Sequence, residues 1–212
     1  MKSQTIWRIF SNIFQPLLIP TYCLIMLFLT DAYSFLAPEY KLFILFSIFM
    51  LTAAIPVISI IILKKAGFVS SILLHERKER TLPYLFTLLS YTAAVMFLMR
   101  LPMPSYIVMM MVASIAATLA IALINLRWKI SAHLCGMGSL CAAILVVSLR
   151  FGTNYVWALA IAFLLSGCVA ASRIELKAHT PMQTLAGFWL GFLFILVGGM
   201  MDLFLLNLFS KG

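Results

Sequence analysis

Residues 104–126 read PSYIVMMMVASIAATLAIALINL, and no position in the stretch carries a charge. A helix needs about 20 apolar residues to cross the hydrocarbon core of a bilayer, so this run is long enough to span one. It has no polar stripe, which means that lipid or other spans meet it on every side. Working outward, comparable runs occupy 13–30, 41–63, 83–99, 132–149, 154–171 and 181–209. The chain of 212 residues is 64% hydrophobic and only 10% charged, against roughly 25% charged in soluble domains, which excludes a water-soluble globule. The expected fold class is all-α: a polytopic transmembrane helical bundle of six to seven spans, forming one integral-membrane domain over residues 1–212. The run at 83–99 is short enough to tilt or re-enter, and the run at 181–209 is long enough to bend at Gly198-Gly199.

With seven spans, the amino terminus and the loops after spans two, four and six share one membrane face. Lys41, Arg100, Arg150 and Lys211 fall on the other face, and the remaining eleven of the fifteen Lys and Arg fall on the first. So do His75, His133 and His179, or the helix ends that carry them. A charge rule would place that face in the cytoplasm, but some of these cations can serve a substrate instead, so orientation stays open. The net charge of +9 suits anionic headgroups or an anionic ligand. Nucleic acid is the least favoured partner, because no basic run is interleaved with aromatics on a soluble surface. Cys23, Cys135, Cys141 and Cys168 form no Cys-x-x-Cys pair and read as small core residues. The amino-terminal segment shows no small-residue cleavage site, so a retained first helix is expected.

Three polar segments stand out on the basic face. His75-Glu-Arg-Lys-Glu-Arg-Thr-Leu-Pro83 is a charge cluster before a helix start; its cations either pair with its own acids or grip an anion through guanidinium forks. Asn125 to His133 contains Ser131, placed to cap the next helix, with His133 in that helix's first turn beside any anion bound at its amides. Ser172-Arg173 precedes His179 by a fixed interval, and Gln183 follows His179 by one helical turn. There its amide oxygen can accept the Nδ1 proton and leave Nε2 as a free lone pair.

These three segments resemble the type 2 phosphatidic acid phosphatases, membrane lipid phosphatases related to vanadium haloperoxidases. The family pattern is a basic segment ending in Arg-Pro, then Pro-Ser-Gly-His, then Ser-Arg with five residues before His and three more before Asp. Ser172-Arg173 through His179 to Gln183 is similar to the third part in type and spacing, except that Gln183 stands for Asp. Ile130-Ser131-Ala132-His133 keeps the serine and histidine of the second part, and Arg80 stands three residues before Pro83 in the first. The resemblance covers residues 75–183. It implies that His179 is the nucleophile forming a phosphohistidine and His133 the acid protonating the leaving alkoxide, with Gln183 orienting His179. Arg77, Lys78, Arg80, Lys129, Ser131, Ser172 and Arg173 would then bind the phosphate, and no cofactor or metal is needed. An Asp would also stabilise the charge that develops on the attacking imidazole, whereas an amide orients it only. Glu175 could compensate if its helix ran on to His179; otherwise it is an ion-pair partner for Lys177.

The expected function is a metal-independent lipid phosphate phosphohydrolase acting on a phosphomonoester or diphosphate, with that lipid and the membrane lipids as its partners. The alternatives are a non-catalytic headgroup-binding member or partner subunit, a transporter, and a three-histidine metal enzyme. Compact size without added domains suits a multi-pass protein of the bacterial inner membrane. Oligomeric state is not legible.

Overall fold

The computed structural model of the chain describes residues 2–72, 74 and 76–209, with side chains described between 5 and 202. It is all-helical. In chain order the helices are α1 (Lys2–Ile13), α2 (Ile19–Phe28), α3 (Pro38–Phe49), α4 (Ile55–Lys65), α5 (Thr81–Met99), α6 (Ser105–Asn125), α7 (Ala132–Phe151), α8 (Val156–Glu175) and α9 (Pro181–Phe209). Counting α1 with α2 and α3 with α4, seven segments are long and apolar enough to cross a membrane. Seven rather than six is therefore the count.

The span starts obey local chemistry. Pro20, Pro38 and Pro181 stand in first turns, where the missing N–H has no intrahelical partner to lose. Pro56 is different, because it follows a π-helical turn over Met50–Ala54 that joins α3 to α4. In that register the Leu51 carbonyl faces residue 56, a proline with no proton to give. The Ser90 hydroxyl of α5 donates to Leu51 O instead, and a polar group that lipid could never satisfy is satisfied.

The centre of the bundle is the pair α7 and α9. Added Cβ atoms at Gly187 and Gly191 would overlap the carbonyl oxygens of Ser131 and Cys135, and one at Gly138 would overlap Phe188 O. Small residues at these points let two backbones touch, the usual basis of helix pairing where lipid removes the hydrophobic drive. The expected bend at Gly198-Gly199 is not a break: α9 runs as a single helix through it. Those glycines admit neighbours instead, Ala113 of α6 at Gly198 and Val146 of α7 at Gly199. The short run at 83–99 is likewise an ordinary span, extended at its start to Lys78.

Asp202, an acid within an apolar run, is ion-paired with Arg150 at the end of the bundle opposite the motif loops. Ser105 donates to the other carboxylate oxygen at 2.6 Å, Arg150 also donates to Gly199 O, and its guanidinium lies over the Tyr106 ring. This network ties α6, α7 and α9 together and leaves Asp202 fully engaged.

Gly191→Ala is expected to lower stability by about 1–3 kcal/mol, the cost of overpacking, since α7 backbone must move to admit a methyl group. Gly167→Ala, with nothing near its added carbon, should melt at or slightly above wild type. Thermal unfolding in detergent reads both; equal melting of the two variants would reject close backbone approach as the organising contact.

Candidate active site

The residues flagged in the three polar segments meet where α7 and α9 begin. Ser131 is the N-cap of α7, its Oγ accepting from Leu134 N at 3.4 Å, and its own N–H donates to Gln183 O at 3.2 Å. His133 therefore sits in the first turn of α7, next to the start of α9.

The interval between Arg173 and His179 is a helix stop. Lys177 adopts a left-handed backbone with φ 53° just past the end of α8, Ala178 N donates to Arg173 O and Lys177 N to Ile174 O. This is a Schellman motif with lysine where glycine is usual. His179 N also donates to Arg173 O, so the turn folds His179 back over the residue that it is meant to work beside. Glu175 is exposed as the last residue of α8, and this turn rather than a continuing helix separates it from His179.

Thr180-Pro-Met-Gln183 then starts α9 with a capping box. Gln183 N donates to Thr180 Oγ1 at 3.4 Å, and Thr180 N donates to Gln183 Oε1 at 3.1 Å. The same Oε1 lies 3.2 Å from His179 Nδ1, and Lys129 O lies 3.1 Å from it. Both neighbours of Nδ1 are acceptors, so Nδ1 carries the proton and Nε2 is left with its lone pair. His179 is 7% exposed, and its pKa is lowered to about 4, chiefly by burial and further by the positive charges of Arg80 and Arg173. Neutral imidazole is thus the form present throughout the physiological range.

Arg80 is buried, donating from Nε to Leu74 O at 3.0 Å. Lys129 is half-buried, its pKa lowered by burial and then by Arg80. Arg173 donates from Nη1 to Ser11 Oγ at 2.7 Å, while its buried Nε has no partner. Among the described residues no acid forms an ion pair with these cations: Glu76 acts on Lys129 only at longer range, Glu79 is held by Ser70 through two hydrogen bonds, and the Arg150–Asp202 pair lies at the other end. With the amide ends of α7 and α9 added, the place collects positive potential and donors, the condition for binding a phosphate-like anion.

Other flagged residues are placed elsewhere. Arg77 donates to Asn125 O at 2.8 Å while Asn125 Nδ2 donates back to Arg77 O, a reciprocal clamp of the first loop on the end of α6. Lys78 is exposed. Ser172 is buried and donates to Trp7 O at 2.7 Å, fastening α8 to α1. His75 lies outside the described residues.

One buried participant was not anticipated. Ser11 of α1, 5% exposed, receives the Arg173 hydrogen bond and stands 3.3 Å from His133 Nε2. The amino-terminal helix therefore packs along α8 and delivers a hydroxyl between two residues of the site. Among the described residues, no group of three or more His, Cys, Asp and Glu is placed to hold a metal ion.

Residues 109–201 match the PAP2 superfamily. Over that stretch the chain is similar to the type 2 phosphatidic acid phosphatases. The matched stretch runs from α6 into α9 and contains His133, Arg173, His179 and Gln183, whereas Ser11 and Arg80 lie outside it. No curated protein and no solved structure matches the chain. The match supports a phosphatase-like function in general, and seven helical segments long and apolar enough to cross a membrane suit an integral membrane protein.

Because the folded pKa of His179 lies below the unfolded value of about 6.5, the unfolded chain binds the proton more readily. Its contribution to stability is complete above pH 6.5 and is lost as pH falls toward 4. The melting temperature of wild type should decline over that window more steeply than that of His179→Asn. Parallel curves would show that His179 is not held neutral.

Proposed function

We propose that the protein is a membrane-embedded lipid phosphate phosphohydrolase working through a phosphohistidine on His179, without a metal. The observation that carries this reading is the double acceptor at Nδ1, which fixes the tautomer and frees Nε2 as nucleophile in a field set by Arg80 and Arg173. In the first step Nε2 attacks phosphorus and the bond from phosphorus to the lipid oxygen breaks. His133, which takes up a proton once the anionic phosphate lies beside it, gives that proton to the departing oxygen. In the second step water attacks the phosphohistidine as the nitrogen–phosphorus bond breaks, and His133 takes the water's proton, which restores both histidines. Arg173, with its unpartnered Nε, and Arg80 and Lys129 offset the charge on the phosphoryl oxygens, the main task in phosphoryl transfer. The substrate is a phosphomonoester or diphosphate on a lipid, and the bacterial inner membrane is the proposed location.

A second reading, headgroup binding without turnover, is favoured by Gln183, whose neutral amide cannot compensate the charge developing on His179. Phosphate release from a panel of lipid phosphates in EDTA separates the two. Wild type should release phosphate, His179→Ala should lose at least a thousandfold, and Gln183→Asp should retain or gain activity because a carboxylate adds that compensation in a first turn that favours anions. If wild type is silent while lipid phosphate still binds to it and to His179→Ala, the protein binds headgroups and does not turn them over.

A further inference from the structure

Two half-open cavities lie among the helices. One, of about 90 Å³, is lined by Tyr84, Ala132, Cys135 and Gly136, among others. The second, of about 60 Å³, reaches Cys23, Leu98, Ile107 and Ala143. Ile19, Pro20, Ser114 and Ser139 line both, so the two adjoin along a shared wall. That wall includes Ile19 and Pro20, just past the joint between α1 and α2, where Pro16 and Ile19 pack against Gly136 of α7.

No histidine or cation of the site lines the compound cavity, but it begins beside them, where Tyr84 contacts Arg80, and runs away from the site. At its mouth are Ala132, between Ser131 and His133 in sequence, and Tyr84, one helical turn after Arg80. From Ala132 to Ala143 it follows eleven residues of α7, roughly 16 Å at about 1.5 Å per residue. One leaflet of hydrocarbon is about 15 Å deep, half of the ~30 Å bilayer core. Protein interiors are close-packed and hold few voids larger than a water molecule, and an apolar void of this kind does not retain water. Cations and amide donors at the mouth with an apolar bore behind them form the complement of an amphiphile: an anionic head on a single hydrocarbon chain.

We propose that this cavity takes one hydrocarbon chain of the phosphate-bearing lipid, so that the chain is held inside the bundle rather than in the surrounding bilayer. The inference rests on the lipid phosphate reading of the site, and it makes Ser114, Ala117 and Ala143 determinants of chain length. Ser114 lines the junction, Ala117 the mouth and Ala143 the deep end.

Hydrolysis of monoalkyl phosphates of increasing chain length tests it, with wild type, Ser114→Phe and Ala143→Leu compared after equal melting temperatures have been confirmed. Wild type should accept short and long chains alike. Ala143→Leu should lose at least tenfold in kcat/KM on the longest chains only, and Ser114→Phe should lose as much from a shorter length onward. Both variants should keep wild-type rates on the shortest chains. Loss at every length, or at none, overturns the proposal while leaving the phosphatase reading intact.

The second arm needs no turnover. A long alkyl phosphate with a photoreactive group at its chain end is crosslinked to His179→Ala, and the labelled helix segments are mapped. Labels on α6 and α7 near Ile107 and Ala143, reduced by Ser114→Phe, support the internal chain even if wild type hydrolyses nothing. Labels confined to lipid-facing positions such as Leu119 or Trp157 would overturn it.

Discussion

The backbone contact between α7 and α9 governs the site. A membrane offers no hydrophobic gain for bringing two helices together, so close pairing depends on surfaces small enough for backbones to meet. Gly138, Gly187 and Gly191 provide those surfaces. Because the helices meet at their beginnings, Ser131 N–H reaches Gln183 O, and Lys129 O reaches the His179 ring. Two histidines distant in sequence become neighbours through helix starts, which are the most directional parts of a helix. The amide dipoles converge on the same place, and so an anion site and the two imidazoles arise from one packing decision.

Electrostatics then follow from what the bundle leaves out. Arg80 and Arg173 are drawn inward, while Glu79 is bound by Ser70 and Asp202 is paired with Arg150 at the opposite end. Bringing like charges together without acids costs stability, and the low pKa of His179 is one sign of that unfavourable field. The opposite end shows the other arrangement, with Arg150, Asp202, Ser105 and Tyr106 satisfying one another. One end of the bundle satisfies its charges internally, and the other leaves Arg80 and Arg173 without an ion pair among the described residues.

How much of this could be read from sequence depends on whether the signal is local. Spans are local, and the uncharged run at 104–126 already implied a helix of the kind found at Ser105–Asn125. The Ser131 cap and the His179–Gln183 pair were also legible, since each involves residues within one helical turn. The capping box of Thr180 and Gln183 is equally local, since the T-x-x-Q pattern lies within one helical turn. Ser11 was out of reach in principle: its partner Arg173 is 162 residues away, and no spacing rule connects them. The clamp of Arg77 on Asn125 was out of reach for a related reason, because a guanidinium in a basic loop looks the same in sequence whatever carbonyl it meets.

Gln183 shows how a single side chain can serve two constraints that pull differently. As the N3 residue of α9 it must be long enough to reach back to Thr180 N–H, and glutamine is. As the Nδ1 acceptor it contributes no charge, so His179 remains weakly basic among cations. In the proposed mechanism, weak basicity slows the attack of Nε2 on phosphorus, but it also makes the same nitrogen a better leaving group when water attacks the phosphohistidine. Neutral imidazole is, moreover, the form present throughout the physiological range. The amide thus shifts the balance from forming the intermediate toward discharging it, and it does so while holding the helix start that positions the nucleophile.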